Sequence, residues 1–133
     1  MEFSTEIEVR FSDLDAYGHV NNAIFFTYLE TARTKLFKDY LSKATAEGLF
    51  FLVVKAECEY KTPINYSDKV IVTIMVEKIG NTSFTFNYKI HNGENKIFAT
   101  AKTVMVTFDA NKNKPVKIPE SFLKLLTEGC CTV

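Results

Sequence analysis

The sequence predicts an α+β fold in which a single antiparallel five-stranded sheet wraps around one long central helix, with a short helix near the C-terminus. Two observations lead to this prediction. One strand-like segment and one long helical segment come first, and four strand-like segments follow with no helix between them. No repeat or low-complexity segment interrupts the 133 residues, so we expect a single domain over 1–133, with a core over about 5–108 and an extension over 109–133.

The first strand is predicted over residues 5–11. Ile7, Val9 and Phe11 alternate with charged side chains, which is the period of a half-buried strand. Residues 12–22 break this alternation with two aspartates, a glycine, a histidine and two asparagines. A polar loop is therefore expected between the strand and the helix.

The long helix is predicted from residue 23 to about residue 41. Asn21 or Asn22 is expected to cap its first turn. Apolar residues recur in it at helical spacing, and they form a broad stripe: Phe25, Tyr28, Leu29, Ala32, Leu36 and Tyr40.

Four further strands are predicted over residues 49–61, 69–79, 83–91 and 96–108, because these segments are rich in β-branched and aromatic residues. They are separated by residues 63–68, by Gly80-Asn81 and by Asn92-Gly93, of which the Asn-Gly pair is a strong hairpin signal. Antiparallel pairing of consecutive strands is expected. Pro119 then begins a short amphipathic segment that predicts the C-terminal helix.

Apolar side chains occupy both faces of the second predicted strand. Phe51 and Val53 point to one side, and Phe50, Leu52 and Val54 point to the other. The helix can cover only one face of the sheet. The second face therefore favours a partner, most simply another copy of the chain.

Composition narrows the range of partners and locations. Sixteen basic residues balance sixteen acidic residues, so no net positive field attracts nucleic acid. No targeting segment or membrane-spanning stretch is recognised. The three cysteines, Cys58 and the adjacent Cys130 and Cys131, do not resemble a disulfide framework, so a cytoplasmic location is expected.

The loop before the helix carries the residues suited to chemistry. Asp13, Asp15 and Gly18 lie within a few residues of a helix start, where free amides can hold a developing oxyanion. A nearby carboxylate can activate water or attack directly. These two parts suffice to open a thioester, since the leaving thiol has a pKa near ~8.5 and needs little protonation. No catalytic cysteine, metal or cofactor is required.

Residues 11–33 resemble the signature of the acyl-CoA thioesterases of the 4-hydroxybenzoyl-CoA thioesterase-like hotdog superfamily. The pattern is an aspartate, two residues, a glycine, and then His-Val-Asn-Asn, here from Asp15 to Asn22. Residues 60–63, Tyr-Lys-Thr-Pro, followed by Asp68, are similar to that family's link between its second and third strands. The resemblance spans residues 7 to about 108. It implies the hotdog fold, an acyl-CoA substrate and a homodimer or homotetramer with the active site at a subunit interface.

The resemblance also implies roles for individual residues. Asp15 corresponds to the general base or nucleophile, and the backbone amide of Asn22 to the group that polarises the thioester carbonyl. Asp13 is expected to be structural, because the spacing to Gly18 and His19 favours Asp15. For His19 a structural hydrogen bond is favoured over substrate contact. The residues predicted to border the substrate are Tyr17, Gly18, His19, Asn21 and Phe25.

Three alternatives stay open at this point. The first is hydrolysis of an acyl carrier protein thioester, which calls for a basic docking patch near the pocket. The second is a non-catalytic acyl- or lipid-binding module of the same fold, although such a module does not need an aspartate aimed at a carbonyl. The third, a hotdog dehydratase, is disfavoured because His19 and His91 lie in no recognisable dehydratase pattern.

Overall fold

The computed structural model describes residues 1–128, which form one antiparallel sheet and three α-helices. This confirms the predicted α+β class. Cys130 and Cys131 lie outside the described residues. The helices are α1 (Ile24–Leu36), α2 (Lys38–Ala46) and α3 (Glu120–Glu128).

The sheet has five main strands in the order β1-β3-β4-β5-β2, and a two-residue strand β6 pairs with β5. The predicted hairpins β3–β4 and β4–β5 are confirmed. The expected pairing of β2 with β3 is wrong, because β2 pairs with β5 along its length and β3 lies between β1 and β4. The strands are β1 (Glu2–Ile7), β2 (Leu49–Tyr60), β3 (Val70–Ile79), β4 (Ser83–His91), β5 (Ile97–Asp109) and β6 (Lys114–Pro115).

The first strand lies earlier than predicted. β1 pairs with β3 from Glu2 opposite Met75 to Ile7 opposite Val70, and the pairing ends where β3 begins. Val9 is still buried beyond the end of β1, but Phe11 is 79% exposed and starts a short 3-10 helix. The alternation that predicted the strand therefore continues past the backbone pairing that defines it.

The single long helix predicted over residues 23–41 is replaced by two helices, α1 and α2. The chain departs from helical geometry at Phe37, where φ is −111° and ψ is 21°. The ring of Phe37 is buried, with its centroid 5.8 Å from that of Phe86 and 4.9 Å from that of Phe122. The break places this aromatic ring in the core, and helical periodicity alone does not reveal it.

The main core lies where α1 meets the sheet. One continuous cluster of buried apolar side chains joins α1, the four strands β1, β3, β4 and β5, and α3. Phe25, Leu29 and Ala32 form the buried stripe of α1. This packing fixes the position of the start of α1, where the candidate site lies.

Strand β2 is an edge of the sheet and is mostly exposed. Eleven of its twelve residues pair, all with β5, and the register shifts at the unpaired Val54, which is 60% exposed. Leu52 and Val53 are also exposed large apolar residues. An exposed apolar edge of this length is unusual in a monomer.

Candidate active site

The loop between β1 and α1 forms a small hairpin that is held against the segment linking β2 and β3. Leu14 and Val20 form an isolated antiparallel bridge, and the Asp15 amide donates to the His19 carbonyl at 2.8 Å. The Val20 amide donates to the carbonyl of Ile64 at 2.9 Å. The loop is therefore fixed by backbone hydrogen bonds on both sides.

Gly18 makes this short hairpin possible. Its φ is +81°, in the left-handed region, and its amide donates to the Asp15 carbonyl at 3.0 Å. Three-residue hairpin loops place a left-handed residue at this position, and glycine adopts that conformation without strain. No atom lies within 4 Å of the position that a Cβ would take there, so the backbone conformation and not crowding requires glycine.

Asp13 is buried and its carboxylate is fully engaged. It is 1% exposed and accepts hydrogen bonds from the Arg10 amide at 3.0 Å, from the Arg10 guanidinium and from the Tyr28 hydroxyl at 2.7 Å. Burial opposes its negative charge, but these hydrogen bonds outweigh burial and hold the pKa of Asp13 below its ordinary value. Burial and the Asp13 carboxylate raise the pKa of Tyr28. These contacts support the structural role predicted for Asp13.

Asp15 is half-buried and only part of its carboxylate is engaged. Its Oδ1 accepts hydrogen bonds from the amides of Tyr17, at 2.8 Å, and His19, at 3.3 Å. Within residues 1–128 its Oδ2 has no hydrogen-bond partner. One oxygen therefore fixes the carboxylate on the loop, and the other is available to a water or a substrate.

The start of α1 leaves one backbone amide available. The Ala23 amide donates to Oδ1 of Asn21 at 2.9 Å, and the Ile24 amide donates to the Asn21 carbonyl at 2.9 Å. The amide of Asn21 donates to the Asp13 carbonyl at 2.9 Å. The Asn22 amide lies between these satisfied groups and has no acceptor among the described residues. The N-cap of α1 is therefore Ala23, and not Asn21 or Asn22 as predicted, because the chain turns once more before the helix begins. The Asn21 side chain holds the Ala23 amide, and the Asn22 amide stays available within residues 1–128.

Asp15 and Asn22 border the same cavity, whose volume is about 270 Å³. The cavity opens between the loop, the first turn of α1 and the end of β2. Its lining residues are Asp15, His19, Val20, Asn22, Phe25, Tyr60, Lys61, Thr62 and Pro63.

The cavity unites some of the predicted site residues and leaves others outside. Asp15, His19, Asn22 and Phe25 line it, whereas Tyr17, Gly18 and Asn21 do not. Tyr17 is 85% exposed at the tip of the hairpin. The side chain of Asn21 accepts a hydrogen bond from the Ala23 amide.

The hydrogen bond predicted for the His19 ring is not formed. The backbone of His19 holds the hairpin, but its ring has no hydrogen-bond partner within the described part of the chain. The ring instead borders the cavity.

Five lining residues were not predicted as site residues: Val20, Tyr60, Lys61, Thr62 and Pro63. Four of them form the Tyr-Lys-Thr-Pro segment, which begins at the last residue of β2. The resemblance of this segment to the family's link between its second and third strands could have indicated these residues. Such a motif does not show which other loop of the fold the segment contacts. The contact between this segment and the start of α1 joins residues that are far apart in the sequence.

Two more cavities lie between α1 and β2, further along the helix. One, of about 260 Å³, includes Phe26, Glu30 and Val53 in its lining. The other, of about 290 Å³, is bordered by Arg33 and by aromatic rings that include Phe37 and Phe51. Because these two cavities share Glu30, Arg33 and Val53, they adjoin and form one groove between α1 and β2.

Neither a metal-ligand cluster nor a membrane-spanning helix occurs in the part of the chain that the structure describes. No three His, Cys, Asp or Glu side chains in residues 1–128 lie together as metal ligands would. None of the helices in that range is long and apolar enough to cross a lipid bilayer.

Known proteins share both this sequence pattern and this architecture. The profile of the thioesterase-like superfamily matches residues 9–126. The acyl-CoA thioester hydrolase YbgC of Escherichia coli O157:H7 is 29% identical, over 91% of this chain and 92% of its own length. The long-chain acyl-CoA thioesterase FadM of Escherichia coli strain K12 is 30% identical, over 86% of this chain and 89% of its own.

A solved structure of a hypothetical protein from Aquifex aeolicus superimposes with a TM-score of 0.84 at 30% identity, covering 96% of this chain and 99% of its own. The family match and the relatives identify the chain as a hotdog-type thioester hydrolase. The chain belongs to the thioesterase-like superfamily. The resemblance recognised in residues 11–33 is confirmed.

Proposed function

We propose that the chain hydrolyses the thioester of an acyl-coenzyme A to the free carboxylic acid and coenzyme A, with Asp15 as general base or nucleophile. The single observation that carries this proposal is the pairing of two available groups in one cavity. Oδ2 of Asp15 is an acceptor and the Asn22 amide is a donor, and among residues 1–128 neither has a partner. A thioester carbonyl placed between them meets both requirements of acyl transfer.

In the general-base route, Asp15 removes a proton from a water molecule as the water oxygen attacks the thioester carbon. The carbonyl electron pair moves to oxygen, and the resulting oxyanion accepts a hydrogen bond from the Asn22 amide. The oxyanion then re-forms the carbonyl and expels the coenzyme A thiolate, which takes the proton from Asp15. Because the thiol pKa is near ~8.5, the thiolate leaves with little assistance.

In the nucleophilic route, an oxygen of Asp15 attacks the same carbon and displaces the thiolate, which gives a mixed anhydride. Water then cleaves the anhydride and regenerates the carboxylate. Both routes need a carboxylate oxygen and an amide donor on the two sides of one carbonyl. They differ in whether a water lies between the carboxylate oxygen and the carbonyl carbon. The hydrogen bonds from the Tyr17 and His19 amides fix the carboxylate and support either role.

The acyl group is proposed to pass from Phe25 in the site cavity into the groove between α1 and β2, toward the aromatic rings of Phe37 and Phe51. The remaining predicted substrate contacts, Tyr17, Gly18, His19 and Asn21, belong to the same loop and are proposed for the mouth of the site. They stay predictions.

We further propose that the working form is a homodimer or homotetramer. β2 supports this proposal, since it exposes backbone hydrogen-bonding groups along one side together with Leu52, Val53 and Val54. A second copy would cover this edge and close the groove beside it. Sedimentation velocity is expected to give a mass of at least two chains, and a monomer at micromolar concentration would contradict the proposal.

The proposed activity is tested by thiol release from short, medium, long and aromatic acyl-CoAs, with wild type, Asp15→Asn and Asp13→Asn. Asp15→Asn is expected to lower kcat by about a hundredfold or more, because it removes the group that accepts the proton or attacks. The amide oxygen that replaces Oδ1 can still accept from Tyr17, so the loop should keep its shape.

Asp13→Asn is the matched control, since it makes the same chemical change two residues away. Its activity is expected to fall much less, after allowance for any loss of folded protein. If wild type cleaves none of these thioesters, the catalytic proposal fails and the acyl-binding module becomes the better interpretation. If Asp15→Asn is as active as wild type, the role proposed for Asp15 fails.

A further inference from the structure

Tyr60 is a residue of the site cavity that the proposed chemistry does not use. It is the last residue of β2, and its side chain reaches across the cavity to the start of α1. Its hydroxyl donates to the carbonyl of Asn22 at 2.8 Å. The contact joins the edge strand to the residue whose amide is proposed to bind the oxyanion.

The first turn of α1 needs this support. Its backbone bonds run from residue i+3 to residue i, and the bond from the Phe25 amide to the Asn22 carbonyl is long, at 3.3 Å. The residue at the N-cap position, Ala23, supplies no capping side chain. The Tyr60 hydroxyl is thus the closest donor to the Asn22 carbonyl.

The tyrosine ring is itself held in place. It packs edge-on against Phe25 with the two centroids 4.9 Å apart, and Phe25 is buried in the first turn of α1. On the strand side, Tyr60 pairs with Ala99, and the next amide, that of Lys61, donates to the Phe98 carbonyl at 2.8 Å. Burial, and then the adjacent Cys58 thiol, raise the pKa of Tyr60, so the hydroxyl keeps the proton that it donates.

Residue 22 is therefore restrained through its carbonyl, and its amide is left available. The Ala23 amide, in the same peptide unit as the Asn22 carbonyl, is held by Asn21. The Asn22 N–H belongs to the preceding peptide unit, whose Asn21 carbonyl accepts from the Ile24 amide at 2.9 Å. Because the peptide units on both sides of Asn22 are held, rotation about its backbone bonds is restricted, and so is the direction of its N–H. An oxyanion donor stabilises charge only when it is already aimed at the place where the charge develops.

We propose that Tyr60 is a positioning residue for thioester hydrolysis, whose hydroxyl holds the Asn22 carbonyl and thereby aims the Asn22 amide at the oxyanion. The inference rests on the proposed function, because the amide needs aiming only if an oxyanion forms. Tyr60 does not exchange a proton with the substrate.

Tyr60→Phe is the direct test, since it removes the hydroxyl and keeps the ring against Phe25. We expect kcat to fall by about tenfold and KM to change by less than about twofold, because the oxyanion forms after the substrate has bound. Tyr66→Phe is the matched control. Tyr66 is 56% exposed, its hydroxyl has no partner within residues 1–128, and its ring lies against Phe11.

A second measurement tests whether the environment of the Asn22 amide depends on the Tyr60 hydroxyl. In ¹⁵N-labelled protein, the Asn22 amide resonance is expected to shift in Tyr60→Phe and to stay in place in Tyr66→Phe. A kcat within about twofold of wild type, an equal loss in both variants, a loss confined to KM, or an unmoved Asn22 resonance would each overturn the inference. If wild type cleaves no thioester, the proposed function fails and the resonance alone decides whether Tyr60 positions Asn22.

Discussion

Asp13 and Asp15 are carboxylates of the same loop, two residues apart, and the fold gives them opposite surroundings. Asp13 is buried and accepts from Arg10 and Tyr28 on both of its oxygens. Asp15 is half-buried at a cavity, with one oxygen bound by backbone amides and the other available within the described chain. The comparison shows that a carboxylate is suited to chemistry when its surroundings fix it without using all its acceptor capacity.

The largest stability difference between the two carboxylates is expected from their alanine variants. Asp13→Ala leaves the buried Tyr28 hydroxyl and the Arg10 amide without their acceptor, which should lower the free energy of unfolding by about 3 kcal/mol. Asp15→Ala should cost less than about 1 kcal/mol, since water can replace the lost acceptor. Urea denaturation of both variants measures the difference. Equal losses of unfolding free energy would show that the surroundings of the two carboxylates do not differ in their effect on stability.

A smaller effect is expected from Tyr28→Phe, which removes one donor from Asp13 and keeps the ring in the core. Loss of a buried hydrogen bond to a charged group should lower the free energy of unfolding by about 1.5 kcal/mol. The loss should shrink in the Asp13→Ala background, where the hydroxyl already lacks its acceptor. A double-mutant cycle by urea denaturation measures this coupling, and strictly additive losses would show that the 2.7 Å contact contributes nothing.

The smallest effect is the dependence of stability on pH that Asp13 confers. Its pKa in the folded protein lies below its ordinary value of 3.8, so the unfolded chain binds the proton more readily. The stabilisation is therefore complete above about pH 4 to 5 and is lost as the pH falls through the folded pKa. The difference in unfolding free energy between wild type and Asp13→Asn should be constant near neutral pH and should narrow in acid. A difference that widens in acid would contradict the direction of the shift.

The sequence predicted those parts of the molecule that local patterns control. Hairpin residues such as Asn92-Gly93 located the turn between β4 and β5, and β-branched and aromatic residues between two turn signals bounded β4 correctly. The break at Phe37 was missed because helical periodicity continues through it, and only the rings of Phe86 and Phe122 explain why the chain bends there. The pairing of β2 with β5 is likewise set by long-range contacts that no local pattern encodes.

The residues of the candidate site also divide into those that local patterns predict and those that long-range contacts bring together. The loop motif identified Asp15 and Asn22, but composition alone did not distinguish Asp15 from Asp13, and the spacing to Gly18 was needed. The contact of Tyr60 with Asn22 joins two residues that are 38 positions apart. A sequence without an alignment does not reveal such a contact, since a tyrosine at a strand end is equally well explained by packing.

The left-handed backbone of Gly18 determines which amino acids this position can accept. A left-handed φ of +81° is unfavourable for natural L-residues but is the ordinary preference of their mirror images, and the space beside the Cα is empty. A D-alanine introduced here by chemical synthesis would fit the native loop and restrict the unfolded chain, so the protein should become slightly more stable. This position of the loop thus excludes L side chains by chirality and not by size, and a D-residue carrying a fluorophore could report on the loop from here.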